Sequence, residues 1–183
     1  MKETAASIRT LIHIRPMADS DIPRVMEIDR QSFSLPWPPS SYHYELHENP
    51  GSALWVAVLQ EPGQDDLVVG MIVVWFIVDE AHIATLAVDP VYRRRNIARQ
   101  LMDTALQAIL ARGFKRATLE VRANNIAAIN LYRGFGFVTA GIRPRYYRDN
   151  NEDAWIMSVQ DLTLENLSGF THVLSNSGSG ELL

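Results

Sequence analysis

The sequence predicts a mixed α/β (α+β) protein, with a mixed, mostly antiparallel central sheet of six to seven strands flanked by about four helices. Three observations predict it. Two apolar runs, ALWVAVL and LVVGMIVVWFIV, are separated only by the polar turn EPGQDD and read as a hairpin. A third apolar run, HIATLAV, ends at Asp89-Pro90 and gives way to helical spacing at Ile97, Leu101, Met102, Leu106, Ile109 and Leu110. The second half then alternates strand-like and helix-like words. Strands that first pair as a meander and are then crossed by helices imply a mixed sheet.

In order, LIHIRP reads as the first strand. Asp19 is placed as the N-cap of a helix running to Phe33, with Ile22, Val25, Met26 and Ile28 at near-helical spacing and Pro23 tolerated in the first turn. SFSLPWPPSSYHYELHENPG is broken by prolines and turns helical from about Ser40, a loop and helix over one sheet edge. HIATLAV lacks alternation, which predicts burial on both faces. The helix from Ile97 closes at Gly113, which suits a C-terminal cap. KRATLEVR follows as a strand and Asn125 to Tyr132 as a helix with Ala128 and Leu131 inward; FGFVTAGI and EDAWIMSVQDL close the sheet.

The 183 residues, 47% of them hydrophobic, suit one globular domain over residues 11–162, after a loose polar leader at 1–10 and before a mobile Ser/Gly-rich tail at 163–183. A net charge of -4 argues against a general nucleic-acid binder, so any basic function is local. The absence of cysteine excludes a disulfide, a thiolate metal site and a cysteine acyl-enzyme. The N-terminal residues lack the apolar core of a signal peptide, and LVVGMIVVWFIV is too short to span a bilayer, so a cytoplasmic protein is expected.

DPVYRRRNIARQL is the stretch richest in chemistry. The first N–H groups of a helix lack intrahelical partners and the helix dipole puts partial positive charge there, so a diphosphate can be gripped by main chain with Arg93, Arg94 and Arg95 nearby. Asn96 and Ala98 occupy the places where such a loop needs a left-handed or small residue. A solvated basic face is the competing reading of the three arginines. Glu120 lies between Leu119 and Val121 and so points to the opposite strand face, either as a cleft carboxylate or as an exposed glutamate paired with Arg122 or Lys115. Tyr132 is either a packing aromatic or a functional phenol. His43 and His47 stand four apart on a helix and could chelate a metal; with no third ligand evident, no metal is expected.

Arg93, Asn96 and Ala98 resemble the Arg/Gln-x-x-Gly-x-Gly/Ala acyl-CoA signature of the GNAT acetyltransferases, with Asn96 where glycine is usual. LEVRANNIAAINLYRGFGF and RPRYYRDNNEDAWIM resemble, within that family, the ribosomal-protein-alanine N-acetyltransferases, and the resemblance runs from about Ile14 to Leu162. It implies the GNAT fold and transfer of acetyl from acetyl-CoA to the N-terminal alanine of a ribosomal small-subunit protein, without a covalent intermediate. It implies Glu120 as general base and Tyr132 as general acid. Leu86, Ala87, Val88, Arg93, Arg94, Arg95, Asn96, Ile97, Ala98, Arg99, Asn125 and Tyr132 would bind acetyl-CoA; Pro36, Trp37, Tyr146 and Tyr147 would wall the peptide groove, with Glu152 and Asp153 as negative charge or as solvated hairpin residues. The expected partners are acetyl-CoA and the N-terminal peptide of a ribosomal protein, with no nucleic acid and no membrane, the enzyme being a monomer or weak dimer. A lysine or small-molecule amine as acceptor is the alternative within the fold. A non-catalytic acyl-CoA-binding module is the alternative outside enzymes.

Overall fold

In the computed structural model residues 11–61, 63, 65–165 and 167 are described, and the expected leader and nearly all of the expected tail lie outside them. Seven strands form one sheet: β1 (Leu11–Pro16), β2 (Ser52–Gln60), β3 (Leu67–Ile77), β4 (Glu80–Val88), β5 (Ala117–Arg122), β6 (Val138–Tyr147) and β7 (Glu152–Val159), in the spatial order β1-β2-β3-β4-β5-β7-β6. Antiparallel pairing joins β1 to β2, β5 to β7 and β7 to β6, while β4 and β5 run parallel, with Ala81 opposite Ala117 and His82 opposite Thr118. The helices are α1 (Ile22–Ser32), α2 (Pro39–His47), α3 (Ile97–Ala111) and α4 (Ile126–Arg133). The expected mixed sheet and four helices are therefore present. The chain clusters into two compact units, one running to Ile72 and resuming over Leu86–Leu101, the other comprising Val73–Thr85 and the residues from Met102 onward.

Three local expectations change. Asp19 does not cap α1: it lies in a 3-10 turn, Asp19–Asp21, and the helix begins at Ile22. Asp21, only 5% exposed, receives a forked pair of hydrogen bonds from Arg15 at 2.6 and 2.8 Å and one from the Ala18 amide at 2.8 Å, so its carboxylate braces the turn. β4 is not buried on both faces. Ala81, Ile83, Thr85 and Ala87 are buried, whereas His82, Ala84 and Leu86 are only partly covered. The small and apolar residues on the open face hid the alternation. On α4 it is Ile129 and Tyr132, one turn apart, that are buried, with Ala128 and Leu131 half-covered. In the closing strands, Phe135 and Phe137 are buried in the turn ahead of β6, and β6 itself runs on through Tyr146 and Tyr147.

In the first unit the sharpest steric requirement is at Gly70 on β3. A Cβ there would meet the Ala87 carbonyl oxygen at 3.1 Å and the Ile97 and Leu101 side chains at 3.2 Å each. The missing side chain lets the start of α3 lie this close to the sheet and so helps set where the amide groups opening that helix sit. Gly113, at φ +85°, ends α3 as expected: its amide bonds the Leu110 carbonyl and the Phe114 amide reaches the Ile109 carbonyl.

Candidate active site

The first unit carries the loop expected to hold phosphate. Asp89, 3% exposed, accepts a hydrogen bond from the Val91 amide at 2.8 Å and pairs with Arg24 of α1, which also donates to the Val68 carbonyl. The chain leaves β4 through a 3-10 turn, Pro90–Tyr92, and then passes through two left-handed residues, Arg94 (φ +64°) and Asn96 (φ +60°). Asn tolerates that region better than other non-glycine residues, and here it stands where the expectation placed it. The first bond within α3 runs from the Gln100 amide to the Asn96 carbonyl, so the amides of Ile97, Ala98 and Arg99 precede the helical ladder and can receive an anion. The three arginines differ in use. Arg93 donates to the Val88 carbonyl at 3.1 Å and to Ser32 at 3.3 Å, tying the loop to the strand end and to α1; Arg95 lies over the Tyr92 ring. Arg94 is exposed in its left-handed position.

The second unit holds a cluster built from side chains of β4, β5 and β6. On β5, Ala117, Leu119 and Val121 are buried, so Thr118, Glu120 and Arg122 share the other face. Glu120 pairs with neither Arg122 nor Lys115. Its carboxylate meets His82 Nε2 at 3.1 Å and Arg143 at 3.2 Å, and with a side chain 16% exposed it is largely removed from water. His82 is held on its other nitrogen by Thr118 Oγ1 at 3.1 Å and stacks on Trp75, 5.7 Å between ring centres. The hydrogen bond to His82 lowers the Glu120 pKa, burial opposes it, and the charges of His82 and Arg143 lower it further. Arg122 is engaged by Asp149 at 2.9 Å and by Glu152 at 3.1 Å, with its guanidinium over the Tyr147 ring.

Tyr132 on α4 is 8% exposed and packs against Phe137, 6.1 Å between ring centres; burial raises its pKa, and Tyr147 adds to the shift. Asn125 caps α4, accepting from the Ala128 amide at 3.2 Å. Tyr146 is 46% exposed and meets Tyr147 edge-on at 5.2 Å. The Tyr147 phenol is pushed up to about 12, chiefly by burial. Glu152 and Asp153 have structural employment: Glu152 accepts from Arg122, Asn150 and the Asn124 amide, and Asp153 accepts from the Arg145 amide at 2.8 Å where Arg145 adopts φ +52°.

In the first unit, Trp37 is fixed by a residue the sequence did not single out. Its amide donates to Asp29 Oδ2 at 2.6 Å, and its ring lies 5.3 Å from that of Tyr42. Asp29 is 1% exposed and burial raises its pKa; Tyr42 is fully buried and raised likewise, with Asp29 adding to the shift. Pro36 is exposed. His82 and Asp29 were thus missed, as was the pairing of Arg143 with Glu120. A histidine inside an apolar strand was the one visible hint for His82, but its partners depend on a parallel register that no local pattern encodes.

Residues 22–137 match the Acetyltransferase (GNAT) family. A Bacillus subtilis (strain 168) protein provisionally named ribosomal protein bS18-alanine N-acetyltransferase is 36% identical over 152 residues, covering 83% of this chain and 97% of that protein. The crystal structure of the ribosomal-protein-S18-alanine N-acetyltransferase from Escherichia coli superposes with a TM-score of 0.72 at 29% identity, covering 84% of this chain and 96% of the other. A chain of the NatC complex bound to Gag peptide and CoA gives a TM-score of 0.73 at 27% identity, with 83% and 99% covered.

Proposed function

This chain belongs to the GNAT family of acetyl-CoA-dependent N-acetyltransferases, and from that premise we propose that its acceptor is the N-terminal alanine of a ribosomal small-subunit protein. The observation that carries the reading is the match along more than four-fifths of the chain to proteins named for that reaction. The residue-level site is consistent with it. In the first unit, the amides of Ile97, Ala98 and Arg99, with Arg94, Arg95 and Asn96, would take the diphosphate of acetyl-CoA, and the main chain of Leu86, Ala87 and Val88 would receive the acyl end. Arg93 would act as a brace for that loop.

A thioester is already activated, so the protein must orient it and manage one proton. The amine nitrogen forms a bond to the acetyl carbon, the carbon–sulfur bond breaks, and the proton lost by nitrogen balances the one gained by sulfur. Glu120, held ionised by His82 and Arg143, would receive the proton through water. A carboxylate lowered in this way is a weak base, and that suffices, because an α-amine with a pKa near 8 is partly neutral at physiological pH, whereas a lysine near 10.4 is not. Tyr132, raised by burial, stays protonated. Passing its proton outright to a thiolate whose acid has a pKa near 8.5 would be uphill. It would therefore serve the departing sulfur as a hydrogen-bond donor while charge develops there, and the thiolate would take its proton from water as Glu120 gives its own back to solvent. Asn125, Pro36, Trp37, Tyr146 and Tyr147 are assigned to the CoA arm and the peptide wall on the strength of the family words.

Among the described residues no helix is long and apolar enough to cross a membrane. We assign the reaction to the cytoplasm, with the enzyme a monomer or weak dimer and no nucleic acid bound. Incubation with labelled acetyl-CoA and a panel of alanine-starting peptides, lysine peptides and polyamines tests the acceptor: the alanine-starting peptides are expected to dominate, and a preference for polyamines or lysine side chains overturns the assignment.

A further inference from the structure

The pair His43 and His47, left by the sequence without a third ligand, acquires one in the fold. Asp19, from the 3-10 turn ahead of α1, places its Oδ1 2.7 Å from His47 Nε2 and 3.7 Å from His43 Nδ1. The two imidazoles lie one helical turn apart on α2, 6.4 Å between ring centres and close to parallel, and the three ligand atoms lie within 4.8 Å of one another. We propose that Asp19, His43 and His47 form a site for a divalent transition-metal ion, of which Zn2+ is the representative.

The geometry is near what the ion needs. Metal–ligand bonds of about 2.0 to 2.1 Å at tetrahedral angles set neighbouring ligand atoms about 3.3 Å apart, and the two distances to Asp19 fall on either side of that value. All three side chains are exposed, and rotation about their χ angles would bring the ligand atoms to equal spacing. The donor set of two imidazole nitrogens and one carboxylate oxygen suits Zn2+, Cu2+ or Ni2+ rather than Mg2+ or Ca2+. Exposure of all three groups leaves a fourth position to water.

Bound there, the ion joins the turn before α1 to the last turn of α2. Those two helices are connected at their other ends by residues 33–38, which carry Pro36 and Trp37. The metal is a staple for this helical pair. It takes no part in acetyl transfer, so failure of one reading leaves the other standing.

The test uses tag-free, chelator-stripped full-length protein titrated with Zn2+ in a calorimeter. One ion per chain with micromolar affinity is expected, together with a rise in Tm on adding Zn2+. His43→Ala and His47→Ala should each weaken binding at least about tenfold, Asp19→Asn should weaken it severalfold, and the double histidine variant should lose the Zn2+-dependent Tm shift. A visible absorption band on adding Co2+ should appear in the parent and vanish in the double variant. These side chains are exposed, and an unchanged Tm without metal confirms that the variants fold. No saturable heat at millimolar Zn2+, or stoichiometric binding that survives the double substitution, overturns the proposal.

Discussion

The anion loop of the first unit and the carboxylate cluster of the second solve two chemical problems with different materials. The loop works with main chain: two left-handed residues and the opening amides of α3, held in place by Gly70, Arg93 and Asp89. The cluster works with side chains, Glu120 held by His82 and Arg143 on three different strands. Amides are present whatever the side chain, so the loop tolerates substitution as long as its backbone path survives. The cluster has no such redundancy. Half-buried Glu120 of the second unit and buried Asp29 of the first are shifted in opposite directions, because Glu120 has cationic partners in contact and Asp29 is dominated by burial.

If that contrast holds, the largest effects come from the cluster. Glu120→Gln should lower kcat by about 10²- to 10⁴-fold while the Kd for acetyl-CoA stays within a few fold, read by single-turnover assay and calorimetry. Equal loss in both quantities would merge the two regions functionally. Tyr132→Phe should cost about 10²-fold in kcat with acetyl-CoA binding preserved, and an unchanged turnover number would remove the phenol from the reaction. His82→Ala, which removes both the hydrogen bond and the charge that His82 presents to Glu120, should lower kcat by about tenfold and shift the acid limb of the pH profile upward, because Glu120 loses the partner that lowers its pKa. Were the limb to stay in place, His82 would be packing alone.

Changes in the loop should be smaller on chemistry and visible in stability or affinity. Gly70→Ala should destabilise by about 1 to 3 kcal/mol by urea denaturation, since the added methyl would meet the Ala87 carbonyl oxygen at 3.1 Å and push on backbone as well as on the Ile97 and Leu101 side chains. Asn96→Gly should leave acetyl-CoA affinity within a few fold of the parent, the left-handed backbone being already adopted. A much tighter complex would mean that the asparagine carries a cost.

The pair of shifted carboxylates gives the comparison a pH test. Glu120 is lowered on folding, so its stabilisation is fully present above its unfolded pKa, near 4.3, and is lost as pH falls through its folded value. Asp29 is raised, so the folded state holds its proton more tightly and stability declines as pH climbs from about 3.9 through the folded value. Melting curves across pH should therefore show Glu120→Gln flattening the acid loss and Asp29→Asn flattening the decline above it. The same sign for both variants would contradict the assignment of causes.

The anion loop was legible because its parts are consecutive. Asp89-Pro90, a basic turn, Asn96 and an amphipathic run state a strand–turn–helix with no need of distant partners. The hairpin, the Gly113 cap and the alternation around Glu120 were local in the same sense. Where reading failed, the cause was tertiary. Asp19 looked like a cap because acids favour helix starts, but a 3-10 turn inserts ahead of α1. HIATLAV looked buried on both faces because alanine and leucine do not reveal which side is covered. Ala128 and Leu131 looked more apolar than Tyr132, yet the phase of α4 turns Tyr132 inward.

The residues by themselves determined the element order, the family words and the identity of the acetyl donor, since each of these is written in contiguous stretches. Only the tertiary structure decided which cations Glu120 faces, that Asp29 grips Trp37, and that Asp19 joins His43 and His47. Those partnerships join residues separated in the chain by as few as eight positions and as many as several dozen. Strand register and helix phase set them, and such long-range choices are made by burying a core rather than by any local preference.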